Sequence, residues 1–327
     1  MPFVDLPLAE LERYHPHVPE PEGLDAFWSG TLAAARAAAA PPHAARVTTA
    51  LELVDTWDVT FTGHGGDRVR GWFTRPAGRD EPLPVVVEYL GYGRGRGQVH
   101  ERLWWAAAGY AHLLMDTRGQ GAQHGTGGDT PDPVGSGPAT PGFLTRGIDD
   151  PATAYWTRLV TDAVRAVDTA RTLPGVDPGR VAVSGTSQGG GLAVAVAGLH
   201  PHVRAAMVNL PLMCHVERAL AITDADPYGE IARHLSVRRE DADRVLRTLA
   251  HLDGVHLARR AGAATLFSVG LRDAICPPST VFAAYNAWGE HVDAEVDREI
   301  VVYPWNGHDG GDALQLTRQL TWLRDHL

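Results

Sequence analysis

The stretch Val181-Ala182-Val183-Ser184-Gly185-Thr186-Ser187-Gln188-Gly189-Gly190 constrains the fold more than any other part of the chain. It reads as a short apolar strand that enters Gly-x-Ser-x-Gly and leaves into a helix beginning Gly191-Leu192-Ala193-Val194. A serine on so sharp a strand-to-helix turn needs neighbours without side chains, because the backbone is strained and closely approached. Gly185 and Gly189 meet that need. The turn lifts the hydroxyl above a sheet and aims a helix N-terminus at it, so an α/β architecture is expected around Ser187.

A serine hydroxyl needs a base within hydrogen-bond reach, and the base needs an orienting carboxylate. On this kind of turn the chain order is Ser, then Asp or Glu, then His. Ala264-Thr265-Leu266-Phe267-Ser268-Val269-Gly270 reads as a strand, and Asp273 lies at its exit. Glu299-Ile300-Val301-Val302-Tyr303 reads as the next strand, and His308 follows it in Asn306-Gly307-His308-Asp309. Donors for a tetrahedral oxyanion are expected from the Gln188 N–H and from the loop after an early strand. Pro84–Leu90 is that strand, Gly91-Tyr92-Gly93-Arg94-Gly95-Arg96-Gly97 is its exit, and the Tyr92 N–H is the expected second donor. These glycines do not form a dinucleotide fingerprint, since Arg96 stands where G-x-G-x-x-G needs its third glycine.

The bulk properties exclude several function classes. The net charge is −10 and the 29 basic residues are all arginine, so no lysine is present for a phosphate-binding loop. An acidic chain without a basic run is a poor candidate for nucleic acid or anionic membranes. The first residues lack the basic and apolar segments of a secretory signal, and no apolar run reaches membrane-spanning length. The two cysteines, Cys214 and Cys276, make no disulfide framework. A cytoplasmic location is therefore expected. The nearest histidine pairs, His15 with His17 and His200 with His202, lack ligand spacing, so no metal is expected.

Along the chain, an N-terminal arm over residues 1–45 carries a helix from Leu24 to Ala40. Alternation in Leu51–Asp55, Trp57–Phe61 and Val69–Phe73 predicts antiparallel strands around a turn at Gly63–Gly66. A helix is expected around 99–108, a strand over Ala111–Met115, and a long patternless loop over 121–147. Asp149–Leu173 reads as a helix with Ala152, Tyr155, Leu159, Ala163 and Val167 on one face. A strand over 203–210, a mostly helical insertion over 211–260 and a closing helix over Leu314–His326 complete a single α/β unit.

Arg118-Gly119-Gln120, Gly185-Thr186-Ser187-Gln188-Gly189-Gly190 and Gly307-His308 together resemble the motifs of carbohydrate esterase family 7, the acetyl xylan esterases and cephalosporin C deacetylases. Pro141–Ile148, Ile275–Asn286 and the opening Phe3-Val4-Asp5-Leu6-Pro7-Leu8 also resemble that family. The resemblance implies the α/β-hydrolase fold, with a mostly parallel central sheet flanked by helices. It implies Ser187 as nucleophile, His308 as base and Asp273 as acid, no cofactor, and removal of acetyl groups from sugars and cephalosporin C. It also implies a homohexamer to which the 121–147 loop contributes. Asp309 and Thr186 stand where Glu and Gly are usual. Arg118 reads as a buried tie rather than a substrate contact. The Tyr92 side chain could line the acyl pocket as well, and Trp104 and Trp105, expected near it, would limit it to little more than a methyl group. A general short-chain carboxylesterase, a peptidase of the same fold and a catalytically dead scaffold are the alternatives.

Overall fold

The computed structural model describes every residue except Met1, Pro2, Val4, Gly135 and Ser136. Val4 of the opening motif and Gly135–Ser136 of the 121–147 loop therefore lie outside the described residues.

The strands are β1 (His43–Arg46), β2 (Val54–Thr62), β3 (Arg68–Pro76), β4 (Leu83–Tyr89), β5 (Ala111–Met115), β6 (Val176–Thr186), β7 (Val203–Asn209), β8 (Ala264–Gly270) and β9 (Arg298–Tyr303). They form one sheet in the order β1-β2-β3-β5-β4-β6-β7-β8-β9. The β1–β2, β2–β3 and β3–β5 pairs are antiparallel, and every pair from β5 to β9 is parallel. The sequence shows why. Apart from Glu88, Pro84–Tyr89 is apolar without alternation, as a parallel strand buried on both faces requires.

The helices are α1 (Leu8–Leu11), α2 (Leu24–Ala37), α3 (Trp104–Ala107), α4 (Tyr155–Ala170), α5 (Gln188–Leu199), α6 (Val216–Ile222), α7 (Tyr228–Val237), α8 (Ala242–Leu252), α9 (Gly254–Ala258), α10 (Pro278–Ala287) and α11 (Asp312–His326). Val85, Val87 and Tyr89 of β4 join a large apolar cluster with α2, α4, α5, α9 and α10. Val86 points the other way and joins Trp105, Trp322 and Leu323 of α3 and α11. The sheet is thus covered on both faces. Helix α5 is apolar on all sides because it lies between β6, α4 and α9. No helix among the described residues is long and apolar enough to cross a membrane.

Four local expectations change. Residues 43–46 leave the N-terminal arm and add to the sheet edge as β1, held by pairing with Trp57–Thr60. The strand expected from Leu51 begins at Val54, and Leu53 is 83% exposed. The 99–108 helix is reduced to a 3₁₀ turn over Val99–Glu101 and the single turn α3, which Gly109 ends at φ 97°. Helix α4 starts at Tyr155 rather than Asp149, because Pro151 disfavours helical geometry at the residue before it. Ala152 is exposed in that preceding turn and does not share the buried face. The 211–260 insertion is helical as expected, as α6 to α9.

Candidate active site

Parallel strands present all their C-terminal ends on one edge, and β4, β6, β8 and β9 run into loops there. Ser187 follows β6 directly. Its backbone is held at φ 60° and ψ −117°, a region that residues with a side chain avoid. Hydrogen bonds fix it: Ser187 N–H donates to Asn209 O at 2.9 Å, and Ser187 O accepts from Gly191 N–H and Leu212 N–H at 2.9 Å each. The flanking glycines have a steric cause. A Cβ on Gly185 would lie 2.2 Å from the Gly189 backbone, and one on Gly189 would lie 2.1 Å from Tyr89 O.

The three residues singled out in the sequence meet. His308 Nε2 lies 2.9 Å from Ser187 Oγ, and His308 Nδ1 lies 2.8 Å from Asp273 Oδ2. Asp273 is fully buried, and its other oxygen accepts from Ile275 N–H at 2.8 Å and Cys276 N–H at 3.0 Å. A carboxylate so saturated can only accept from the imidazole, so Nδ1 carries the proton and the Nε2 lone pair faces the serine. The β8 and β9 exits are close-packed, since a Cβ on Gly270 would lie 2.3 Å from Gly307 O.

Two backbone N–H groups on the segments around Ser187 lack a protein acceptor among the described residues. Gln188 opens α5, so its N–H has no intrahelical acceptor. The Tyr92 N–H has no protein partner among the described residues. Gln120 ties their two segments together. Its Oε1 accepts from Gly93 N–H at 2.6 Å, and its Nε2 donates to Gln188 Oε1 at 2.8 Å and to Tyr155 Oη at 2.9 Å. Gln188 Nε2 donates in turn to Leu90 O at 3.2 Å. Sequence reasoning overlooked Gln120, although it sits beside Arg118 in a stretch already singled out.

A family model described as acetyl xylan esterase matches residues 1–326. The chain belongs to the acetyl xylan esterase family. Among solved structures, an acetyl xylan esterase from Paenibacillus sp. R4 is 35% identical, with a TM-score of 0.90 over 98% of this chain and 100% of that one. Acetyl xylan esterase 1 from Thermoanaerobacterium sp. JW/SL YS485 is 30% identical, with a TM-score of 0.87 over 98% and 99%. Acetyl esterase Axe7A of Xylanibacter ruminicola is 27% identical over 321 residues, 96% of this chain and 69% of that protein. The chain is therefore a carboxylic ester hydrolase with the α/β-hydrolase fold.

Around Ser187 this family member opens a cleft of about 930 Å³. One side is walled by Tyr92, Pro141, Gly142 and the helical insertion, through Asp226, Pro227 and Glu230. The Tyr92 hydroxyl donates to Glu230 Oε1 and accepts from Phe143 N–H at 2.7 Å, while Glu230 Oε2 accepts from Phe143 N–H and Leu144 N–H at 3.0 Å each. Burial, and then the neighbouring Glu230 carboxylate, raise the Tyr92 hydroxyl far above its usual range, so it stays a neutral donor. Burial likewise raises Glu230, against the hydrogen bonds from Tyr92 and the loop. The insertion thus braces the 91–97 loop, a link between distant segments that no local pattern announces.

Both indoles line the cleft: Trp105, almost fully buried, donates to Glu88 Oε2 at 3.1 Å, while the part-exposed Trp104 stands against Arg102. Glu88 also accepts from Arg102, and His112 Nε2 lies 3.0 Å away but off the hydrogen-bond axis. Burial opposes ionisation of Glu88, yet Arg102, His112 and Trp105 together bring its carboxyl down from 4.5 to about 2. With the folded value below the unfolded one, this contribution is complete above pH 4.5 and is lost as the pH falls through about 2. Glu88→Gln is expected to lower stability at pH 6 by on the order of 3 kcal/mol. In urea melts the gap to wild type should narrow by pH 3, and a pH-independent gap would remove the ionised pair as its cause.

Arg118 is a buried tie, as its fully buried side chain requires. Nε and Nη2 donate to Asp162 at 2.6 and 2.8 Å, and Nη1 donates to Asp67 at 3.0 Å and Asp132 at 3.2 Å. Asp132 belongs to the 121–147 loop and is also held by Arg158. The described part of that loop is thus pinned to α4.

Proposed function

We propose that this esterase removes acetyl groups from acetylated sugars and xylo-oligosaccharides, and from cephalosporin C, through an acyl-enzyme on Ser187. The observation that carries the reading is the line Ser187 Oγ, His308 and Asp273, with its 2.9 and 2.8 Å contacts. Ser187 Oγ attacks the ester carbonyl carbon while its proton passes to His308 Nε2, and Asp273 stabilises the imidazolium. The carbonyl oxygen takes the negative charge and is held by the Tyr92 and Gln188 N–H groups. The tetrahedral intermediate collapses, the C–O bond to the alcohol breaks, and the alcohol leaves with the proton from His308. Water then gives a proton to His308, attacks the acetyl-serine and releases acetate, and the serine regains its proton. No cofactor enters these steps.

Acetyl preference is supported by family membership and by the braced Tyr92 loop. The value of kcat/KM is expected to fall at least tenfold from p-nitrophenyl acetate to butyrate, with octanoate nearly inert, since each methylene that clashes costs about 1–3 kcal/mol. Level or rising values across acetate, propionate, butyrate and octanoate would replace this reading with a general short-chain carboxylesterase. A homohexamer is part of the proposal, drawn from the family resemblance and in keeping with the exposed Leu53. Light scattering should then report several times 35.1 kDa, and a monomer peak at micromolar concentration would refute it.

A further inference from the structure

On the sheet face covered by α3 and α11, the inward residues change character near the strand ends. Val86, Ala182, Met207 and Leu266 are apolar and buried, but the next inward positions are Glu88, Ser184, Asn209 and Ser268. Glu88 and Ser184 are cross-strand partners, and so are Asn209 and Ser268 one pleat further on. Helix α11 lays Gln315 and Gln319 over them, each almost fully buried. A layer needing only cohesion would be apolar here, since every buried polar group must find a partner.

Most of them do. Ser268 Oγ and Gln319 Nε2 donate to Asn209 Oδ1 at 2.9 and 3.2 Å, and Gln315 Oε1 accepts from Tyr303 Oη at 2.9 Å. Glu88 is satisfied by Arg102 and Trp105. Two groups are left over. Gln315 is 1% exposed and its Nε2 has no partner, and the Ser184 hydroxyl makes no protein hydrogen bond among the described residues. Both residues line the cleft that contains Ser187, together with Glu88, Arg102, Trp104 and Gln319.

We propose that this side of the cleft is a subsite for the pyranose ring of a neutral acetylated sugar, whose hydroxyls are met by Gln315 Nε2 and Ser184 Oγ. The chemistry is specific in three respects. The unused groups are an amide donor and a hydroxyl, which suit a hydroxyl that both accepts and donates. Glu88 and Arg102 neutralise each other, and the other charged groups at this end, Asp309 and Asp312, would repel an anion, which suits a neutral ligand. Trp104, with Arg102 over its ring at 5.4 Å, adds aromatic surface to the same wall for the apolar C–H side of a sugar. The subsite rests on the proposed sugar deacetylation and names where the alcohol part binds.

Xylobiose, which has no ester, is the probe. It should inhibit wild-type hydrolysis of p-nitrophenyl acetate competitively, with Ki raised roughly tenfold in Gln315→Leu, the scale of one hydrogen bond to a neutral group. Ser184→Ala, which removes a single oxygen, should shift Ki the same way and serves if the leucine variant fails to fold. In both variants KM for acetylated xylobiose should rise while its kcat stays within twofold or so. Unchanged Ki in both variants, with wild-type turnover of acetylated xylobiose intact, would overturn the subsite alone. Turnover of p-nitrophenyl acetate without any turnover of acetylated xylobiose would overturn the sugar reading and the subsite with it.

Discussion

Ser187→Ala is expected to lower kcat for p-nitrophenyl acetate by roughly four to six orders of magnitude, and His308→Ala by a similar factor, because the groups act as a unit. Asp273→Asn should lose about four orders, since an amide in place of Oδ2 would favour the wrong tautomer of His308. Pairing any two of these substitutions should add little. The fold offers an independent control. Ser187 sits at φ 60° and ψ −117°, so Ser187→Gly should relieve strain and raise stability by about 1 kcal/mol while activity disappears. Retention of more than about one part in a hundred of activity in Ser187→Ala would remove the serine from the chemistry. Near-normal turnover in Asp273→Asn would move the acid elsewhere. Asp309 would then be examined, although its Oδ1 already accepts from Asn306 Nδ2 at 2.8 Å and Gly311 N–H at 3.0 Å.

The largest loss of stability is expected at Arg118. Arg118 and Asp162 side chains are both fully buried, and Arg118→Met would leave the Asp162 carboxylate in the interior without its fork. Breaking a buried pair from one side costs about 3–5 kcal/mol. Urea unfolding of Arg118→Met should show that loss, and the double variant Arg118→Met/Asp162→Leu should recover part of it. Asp162 also accepts from His64 N–H at 2.8 Å, so recovery stays incomplete. Esterase activity in the surviving folded fraction should fall too, because Tyr155 Oη donates to Arg118 O at 2.6 Å and accepts from Gln120. A loss below about 1 kcal/mol would mean that the charge finds water when the fork is removed.

What the sequence made legible was local. Ser187, Asp273 and His308 each stand at the end of an apolar strand, where the residue pattern and the exit loop adjoin. Strands such as Pro84–Tyr89 were readable from their apolar residues, whereas the parallel sheet was expected from the family resemblance. Strand β1 was not, since His43-Ala44-Ala45-Arg46 has no β-branched residue and is a strand only because β2 offers it an edge. The misplaced start of α4 came from weighing apolar spacing above Pro151. Glu230 meets Tyr92 across 138 residues of chain, and Gln315 borders the cleft only because α11 crosses the sheet. Neither has a neighbour in sequence that foretells its partner.

The crowding at the serine turn bears on how such an enzyme can diversify. At Gly185, Gly189, Gly190 and Gly191 a single added carbon would run into backbone atoms at 2.1 to 2.5 Å, and backbone cannot step aside as a side chain can. Mutation there is closed off whatever the substrate. The cleft walls come instead from the 91–97 and 141–147 segments, from α7 and from α11, where side chains meet other side chains and exchanges can be compensated. New specificities in this lineage should therefore be written in the walls, by paired changes, over a turn that stays as it is.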